Sequence, residues 1–199
     1  MRIAVLGTGM VGDTIGSKLV ELGHDVMMGS RTPQNEEAQA FIAKHNNKAK
    51  AGTFADAARH GEILFNCTSG LGSVEALKSA SENDLNGKIL VDIANPLDFS
   101  KGMPPSLFVV NTNSLAEEIQ LKFPLVKVVK ALNTMWCGLM VNPGMLNNGD
   151  HNTFVAGNDA AAKEKVQDIL KSFGWSGKIF LTLAILPNQE GSKCICLCG

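Results

Sequence analysis

The sequence predicts an α/β fold, a doubly wound and mostly parallel sheet with helices on both faces. Three observations carry this expectation. Short apolar runs of strand length alternate with segments of helical period along most of the 199 residues. A glycine-rich turn closes the first apolar run, and no internal repeat or low-complexity linker interrupts the alternation. Right-handed crossovers between such strands place helices on both faces of one sheet.

Element by element, Arg2-Ile3-Ala4-Val5-Leu6 is an apolar run closed by Gly7. Val11, Ile15, Leu19 and Leu22 then recur at helical spacing from Met10, and Gly23 ends that helix. Asp25-Val26-Met27-Met28 reads as a second strand, and after Pro33 a helix spans residues 36–45, with Ala38, Phe41 and Ile42 on one side. A short helix over 54–60, a strand over 62–67, a helix over 74–81 and a strand over 88–93 follow. The alternation ends with a helix over 115–122, strands over 126–132 and 152–156, and a helix over 160–173. One domain over residues 1–180 and a divergent tail over 181–199 are expected.

Composition narrows the class. With 45% hydrophobic and 19% charged residues the chain is an ordinary globular one rather than a disordered one. A formal net charge of −1 gives no global field to recruit nucleic acid or anionic lipid, so any anion site must be a local pocket. The first strand begins almost at Met1, leaving no room for a signal peptide, and the apolar run 179–186 is too short to cross a bilayer. A cytoplasmic location is therefore expected, with Cys67 and Cys137 as reduced, buried thiols.

Gly7-Thr8-Gly9-Met10-Val11-Gly12 fits G-x-G-x-x-G between a strand and a helix, the context in which the pattern binds a dinucleotide. This makes the expected fold one of the Rossmann type. Gly7 allows the tight turn, Gly9 lets backbone approach a pyrophosphate, and Gly12 lets helix and strand pack closely. A strand that selects NAD ends in a carboxylate for the ribose hydroxyls. Here the second strand runs into Ser30-Arg31-Thr32, whose hydroxyls and guanidinium can donate to a 2′-phosphate. At about 1.5 to 3 kcal/mol for each charge-assisted bond, this favours NADP(H).

Later strands end at Cys67-Thr68-Ser69-Gly70, Ala94-Asn95-Pro96 and Asn133-Thr134-Met135, where ligands of open α/β sheets lie. These residues could line the nicotinamide and its ribose, Thr68 among them; the same residue types also serve loops and caps, and both readings stand. His24, His45, His60 and His151 have no metal-ligand spacing partner, Lys130 reads as a satisfied structural charge, and no acid-base pair is evident. No catalytic residue and no metal site is assigned. Hydride transfer between flat rings needs orientation more than a proton donor, whereas a carbonyl reductase needs both. The chemistry thus tilts toward a flavin-like acceptor, with two alternatives: an NADP(H)-binding protein without turnover, and an NADPH-dependent imine or carbonyl reductase.

GTGMVG, GHDVMMGSRT, DIANP and VVKALNTM together resemble the coenzyme F420-dependent NADP oxidoreductase family, in particular its bacterial NADPH-reductase branch, over roughly residues 1 to 180. The resemblance implies that residues 8–11 with Ser30 and Arg31 hold NADP, that Gly70, Asn95 and Cys137 are further contact positions, and that hydride passes between NADP(H) and coenzyme F420 or a flavin as a small-molecule acceptor. It also implies a homodimer. The likeness stops near Leu181. There the family continues as D-L-G-D-I and ends near R-G-x-E-M-Y-L-P-L-W, a segment that supplies acceptor-pocket and dimer contacts, whereas this chain ends Cys194-Ile195-Cys196-Leu197-Cys198-Gly199. Re-reading codons from the third base of the preceding one permits the family segment: Lys193-Cys194 allows only Met or Val, Cys194-Ile195 only Tyr or His, and Cys198-Gly199 only Trp or Arg. The tail is therefore expected to be an out-of-frame reading, its three cysteines an accident of translation and the dimer weakened. The rival expectation is a thiolate site for a soft metal.

Overall fold

The structure, a computed structural model, describes residues 1–176 and 180–183. Its elements are β1 (Arg2–Leu6), α1 (Met10–Glu21), β2 (Asp25–Ser30), α2 (Glu36–Lys44), β3 (Lys50–Thr53), α3 (Phe54–His60), β4 (Ile63–Asn66), α4 (Gly70–Lys78), α5 (Glu82–Leu85), β5 (Ile89–Asp92), β6 (Leu97–Asp98), β7 (Ser106–Leu107), α6 (Leu115–Lys122), β8 (Lys127–Ala131), α7 (Cys137–Val141), β9 (Thr153–Gly157), α8 (Ala160–Ser172) and β10 (Phe180–Leu183). The main sheet has the order β10-β9-β8-β5-β4-β1-β2-β3, and β6 pairs with β7 in a small antiparallel ribbon. From β3 to β8 every neighbouring pair is parallel.

Alternation along each strand divides the core into two layers. Ile3 and Val5 face one way and pack with Ile15 and Leu19 of α1, Phe41 of α2 and Val166, Ile169 and Leu170 of α8. Ala4 and Leu6 face the other way and pack with Ala57 of α3, Leu77 of α4 and Ile119 of α6. A strand covered on both sides must be apolar on both, which is why β1, β4 and β5 read as runs rather than as alternating patterns.

Six short elements were not anticipated: β3, α5, the β6–β7 ribbon, α7 and β10. Lys-Ala-Gly-Thr in β3 has no apolar run, because an edge strand is covered less than a central one. Helix α4 begins at Gly70, four residues before the apolar pattern shows itself. Strand β9 runs antiparallel to β8, and β10 runs parallel to β9. After β8 the chain stays at the carboxyl end of the sheet, where α7 packs against α1, so β9 starts at that end and runs back. The Trp175 indole N–H, buried below α8, donates to the Met140 carbonyl (2.9 Å) and ties this connection down. The sheet thus extends through Leu183, and the remainder of the divergent tail, its cysteines included, lies outside the described residues.

Candidate functional site

The chain reverses direction of travel across the sheet between β1 and β4: β2 and β3 lie on one side of β1, and β4, β5 and β8 on the other. The loops after β1 and β4 therefore diverge and leave a crevice at their carboxyl ends. Three glycines shape it. Gly7 sits at φ 113°, its N–H donates to Gly29 O (2.9 Å), and a Cβ there would lie 2.6 Å from the Cys67 carbonyl oxygen. A Cβ at Gly12 would overlap the Gly7 carbonyl, so this glycine lets α1 seat on its own loop. Gly9 differs, because a Cβ added there meets nothing within 4 Å. Its φ of −70° and ψ of −175° suit any residue, so neither the fold nor its neighbours demand glycine at that position.

Helix capping follows a pattern. Helices α2, α3, α5, α6 and α8 are capped by the side chains of Asn35, Thr53, Ser81, Ser114 and Asp159. Helices α1, α4 and α7 begin with no side-chain cap, at Gly9, Ser69 and Trp136. These three surround the crevice. The first-turn N–H groups of a helix need acceptors, and the positive end of the helix dipole favours an anion.

Two cavities meet here. One of about 810 Å³ is lined by Gly7, Thr8, Gly9, Ser30, Arg31 and Glu37, with Phe54 and Ala55 as an apolar wall. The second, of about 690 Å³, is lined by Met10, Val11, Gly70, Asn95, Trp136 and Cys137 among others. Cys67, Thr68 and Ser69 form the wall common to both. Of the cofactor-site residues singled out in the sequence, Gly12, Thr32, Pro96 and Thr134 line neither cavity. Gly12 is buried beneath the loop, and the Thr32 carbonyl accepts the Ser30 hydroxyl (2.5 Å), so the Ser30 proton closes the turn. At Gly70 a Cβ would strike the Asn95 carbonyl. The Asn95 side chain donates to Asn133 O (2.8 Å) and accepts from Asn133 Nδ2 (3.1 Å), which locks the loops after β5 and β8 together.

Beneath the common wall lies a buried polar network. Register aligns Asn66 with Asp92 and Asp92 with Lys130, so adjacent parallel strands present the three side chains in one row. Lys130 Nζ pairs with Asp92 Oδ2 at 2.9 Å, both residues buried, and also donates to the Ala94 carbonyl. Asn66 Nδ2 donates to Asp92 Oδ1 (2.8 Å) and to Ser73 Oγ (2.9 Å), while its carbonyl oxygen accepts the Thr68 hydroxyl (2.7 Å). Lys130 is the satisfied structural charge expected of it; its partner Asp92 went unforeseen, because interstrand register is not written in the sequence.

Residues 2–96 match the family described as NADP oxidoreductase, coenzyme F420-dependent. A solved structure of a candidate F420-dependent NADP reductase from Arthrobacter sp. FB24 is 48% identical, covering 93% of this chain and 84% of that one, with a TM-score of 0.85. The chain belongs to the coenzyme F420-dependent NADP oxidoreductase family. Metalloreductase STEAP3 of Rattus norvegicus is 27% identical over 88% of this chain, which spans only 33% of that protein's length. The imine reductase of Myxococcus stipitatus, solved with NADP+, shares the fold at 16% identity and a TM-score of 0.64, covering 92% of this chain and 55% of that one.

Several lining residues of this family member escaped sequence reasoning. Asn35 and Glu37 reach the first cavity from the start of α2, where Asn35 caps the helix. Phe99, Leu71 and Trp136 are exposed apolar side chains around the second cavity, joining Met10, which the sequence itself names. Among the described residues Asp98 is the one carboxylate in that lining, and the Ser100 N–H and then its hydroxyl hold it below the usual carboxylate range. Loss of solvation and then the Asp92 carboxylate push the Cys67 thiol up, so it stays protonated at neutral pH. Among the described residues no group of three His, Cys, Asp or Glu converges as a metal site, and no helix is long and apolar enough to cross a membrane.

Proposed function

We propose that the chain is an NADP(H)-dependent oxidoreductase that passes hydride between NADPH in the first cavity and a flat, flavin-like ring, a deazaflavin or flavin, in the second. The observation that carries this reading is the pair of cavities sharing Cys67, Thr68 and Ser69, at the mouth of helices left without side-chain caps. The residues present fit a dinucleotide: the space over Gly9, which a Cβ would enter without touching protein, suits a pyrophosphate against the uncapped start of α1. Arg31 would meet the 2′-phosphate and Phe54 and Ala55 the adenine, while the nicotinamide would cross the common wall at Thr68 to reach Gly70, Asn95 and Cys137 at the edge of the second cavity.

The bound cofactor supplies the hydride from its nicotinamide C4. What the protein adds is proximity: the rigid wall at residues 67–69 orients one ring while Met10, Leu71, Phe99 and Trp136 offer an apolar rim to the other. Carbonyl reduction is the weaker reading, because Asp98, the carboxylate among the described lining residues of the second cavity, already accepts the Ser100 N–H (2.9 Å) and is a poor proton source there. We place the activity in the cytoplasm, on a chain whose dimer is weakened by its tail.

Titration with NADPH and NADH, followed by an acceptor screen, tests the proposal. NADPH is expected to bind tighter by about 10-fold or more, and Arg31→Ala to weaken NADPH much more than NADH. Oxidation of NADPH by F420 or a flavin supports hydride transfer to a ring, and a ferric chelate belongs in the screen because the rat relative is a metalloreductase. Binding with no oxidation by any acceptor would overturn turnover, and equal effects of Arg31→Ala on both nucleotides would overturn the phosphate assignment.

A further inference from the structure

The first cavity contains a carboxylate where the cofactor's most negative group is expected. Glu37, on the first turn of α2, lines it beside Arg31, Thr8 and Ser30. Its Oε2 accepts the Thr8 hydroxyl at 2.6 Å, across 29 residues of sequence, and the Asn35 side-chain amide at 3.4 Å. Glu37 is exposed, so this bond does not serve the core. Thr8 belongs to the glycine loop, and its hydroxyl has a single proton to give. While Glu37 accepts that proton, no phosphate oxygen can.

We propose, resting on the NADP reading above, that Glu37 is an internal competitor of the cofactor's 2′-phosphate: its carboxylate takes the Thr8 hydroxyl and shields Arg31, so NADPH binds only by displacing it, and Glu37 sets how strongly NADPH is preferred over NADH. Two charge effects act together. The carboxylate offsets part of the Arg31 charge, and it repels a phosphate that carries close to two negative charges at neutral pH. The Thr8 proton first, then the Asn35 amide and the Arg31 charge, holds the Glu37 carboxyl below its ordinary range, so the competitor is ionised throughout the physiological range. NADH has no 2′-phosphate and so meets no such repulsion.

Calorimetric titration of the full chain and its Glu37→Gln variant with NADPH and NADH tests this. Glu37→Gln keeps the length and removes the charge. It is expected to tighten NADPH binding by about 3- to 10-fold, as for an exposed charge acting on a dianion, and to leave NADH within about 2-fold. The gain should shrink when Glu37→Gln is placed in a Thr8→Val background, because the contested proton is gone. Weaker binding of both nucleotides would show instead that the carboxylate accepts the ribose hydroxyls, and no change in either would show that it does not compete; each overturns the proposal and leaves the NADP reading standing. A wild-type chain that binds neither nucleotide overturns both.

Discussion

Three glycines of one motif carry three different duties, and substitution separates them. Gly12 has no room for a Cβ against the Gly7 carbonyl, so Gly12→Ala must push α1 off its loop. Overpacking of this kind costs about 1 to 3 kcal/mol, and a lowered melting temperature is the expected reading by circular dichroism. Gly9 has open space around it and an ordinary φ, so Gly9→Ala should leave the melting temperature within about 2 °C, since surface changes away from such constraints are small. The same variant should weaken NADPH by about 10-fold or more, because the added methyl occupies the approach of the pyrophosphate. A Gly9→Ala chain that melts normally and binds normally would remove the pyrophosphate from this position. The pattern of the motif was legible from spacing alone. The packing duties of Gly7 and Gly12 were legible because strand, turn and helix fix where each Cα points, whereas Glu37 was hidden, since nothing in the sequence says which way the first turn of α2 faces.

At the scale of elements, helix starts distinguish architecture from site. Thr53 and Asp56 form a reciprocal cap on α3: the Asp56 N–H donates to Thr53 Oγ1 (3.1 Å), and the Thr53 hydroxyl and N–H donate to Asp56 Oδ2 (2.6 and 3.0 Å). The Thr53 hydroxyl first and its N–H second hold the Asp56 carboxyl below its ordinary value. A depressed folded value means the stabilisation is fully present above the unfolded value of about 3.9 and is lost as pH falls through the folded one. Thr53→Ala is expected to cost about 1 kcal/mol at pH 7. The gap in melting temperature between variant and wild type should be full above about pH 5 and narrow as pH falls below about 4, leaving the part due to the Asp56 N–H bond; a gap that does not change at all between about pH 7 and acid pH would mean that Asp56 is not the linked group. Helices α2, α3, α6 and α8 were readable from their residue pattern, and α1 from its apolar spacing and its glycines. The short α5 and α7 and the edge strand β3 were not, because elements of four or five residues are held by tertiary contacts rather than by their own periodicity.

For the whole molecule, the parallel half was legible and the reversal at β9 was not. Alternating apolar runs and helices imply crossovers, but a connection that never leaves the carboxyl end of the sheet looks in sequence like any other loop. That connection carries Trp136 and Cys137 to the second cavity; Cys137 was named by the family resemblance, whereas Trp136 was not. Met10, Leu71, Phe99 and Trp136 leave this wall with an exposed apolar rim, the kind of surface that a further segment or a second subunit covers. We infer that the covering segment belongs to the alternate reading frame of residues 181–199. Sequencing the gene decides the first half: shifting the frame near codon 180 should yield D-L-G-D-I and, further on, E-M-Y-L-P-L-W, and any other product removes the idea. The second half is a solution measurement. A chain carrying that alternate segment should sediment as a dimer at concentrations where the present chain shows a larger monomer or aggregate fraction, and it should turn over the ring acceptor faster. If the two versions sediment and react alike, then the apolar rim has its cover already and the tail's reading frame is irrelevant to the acceptor site.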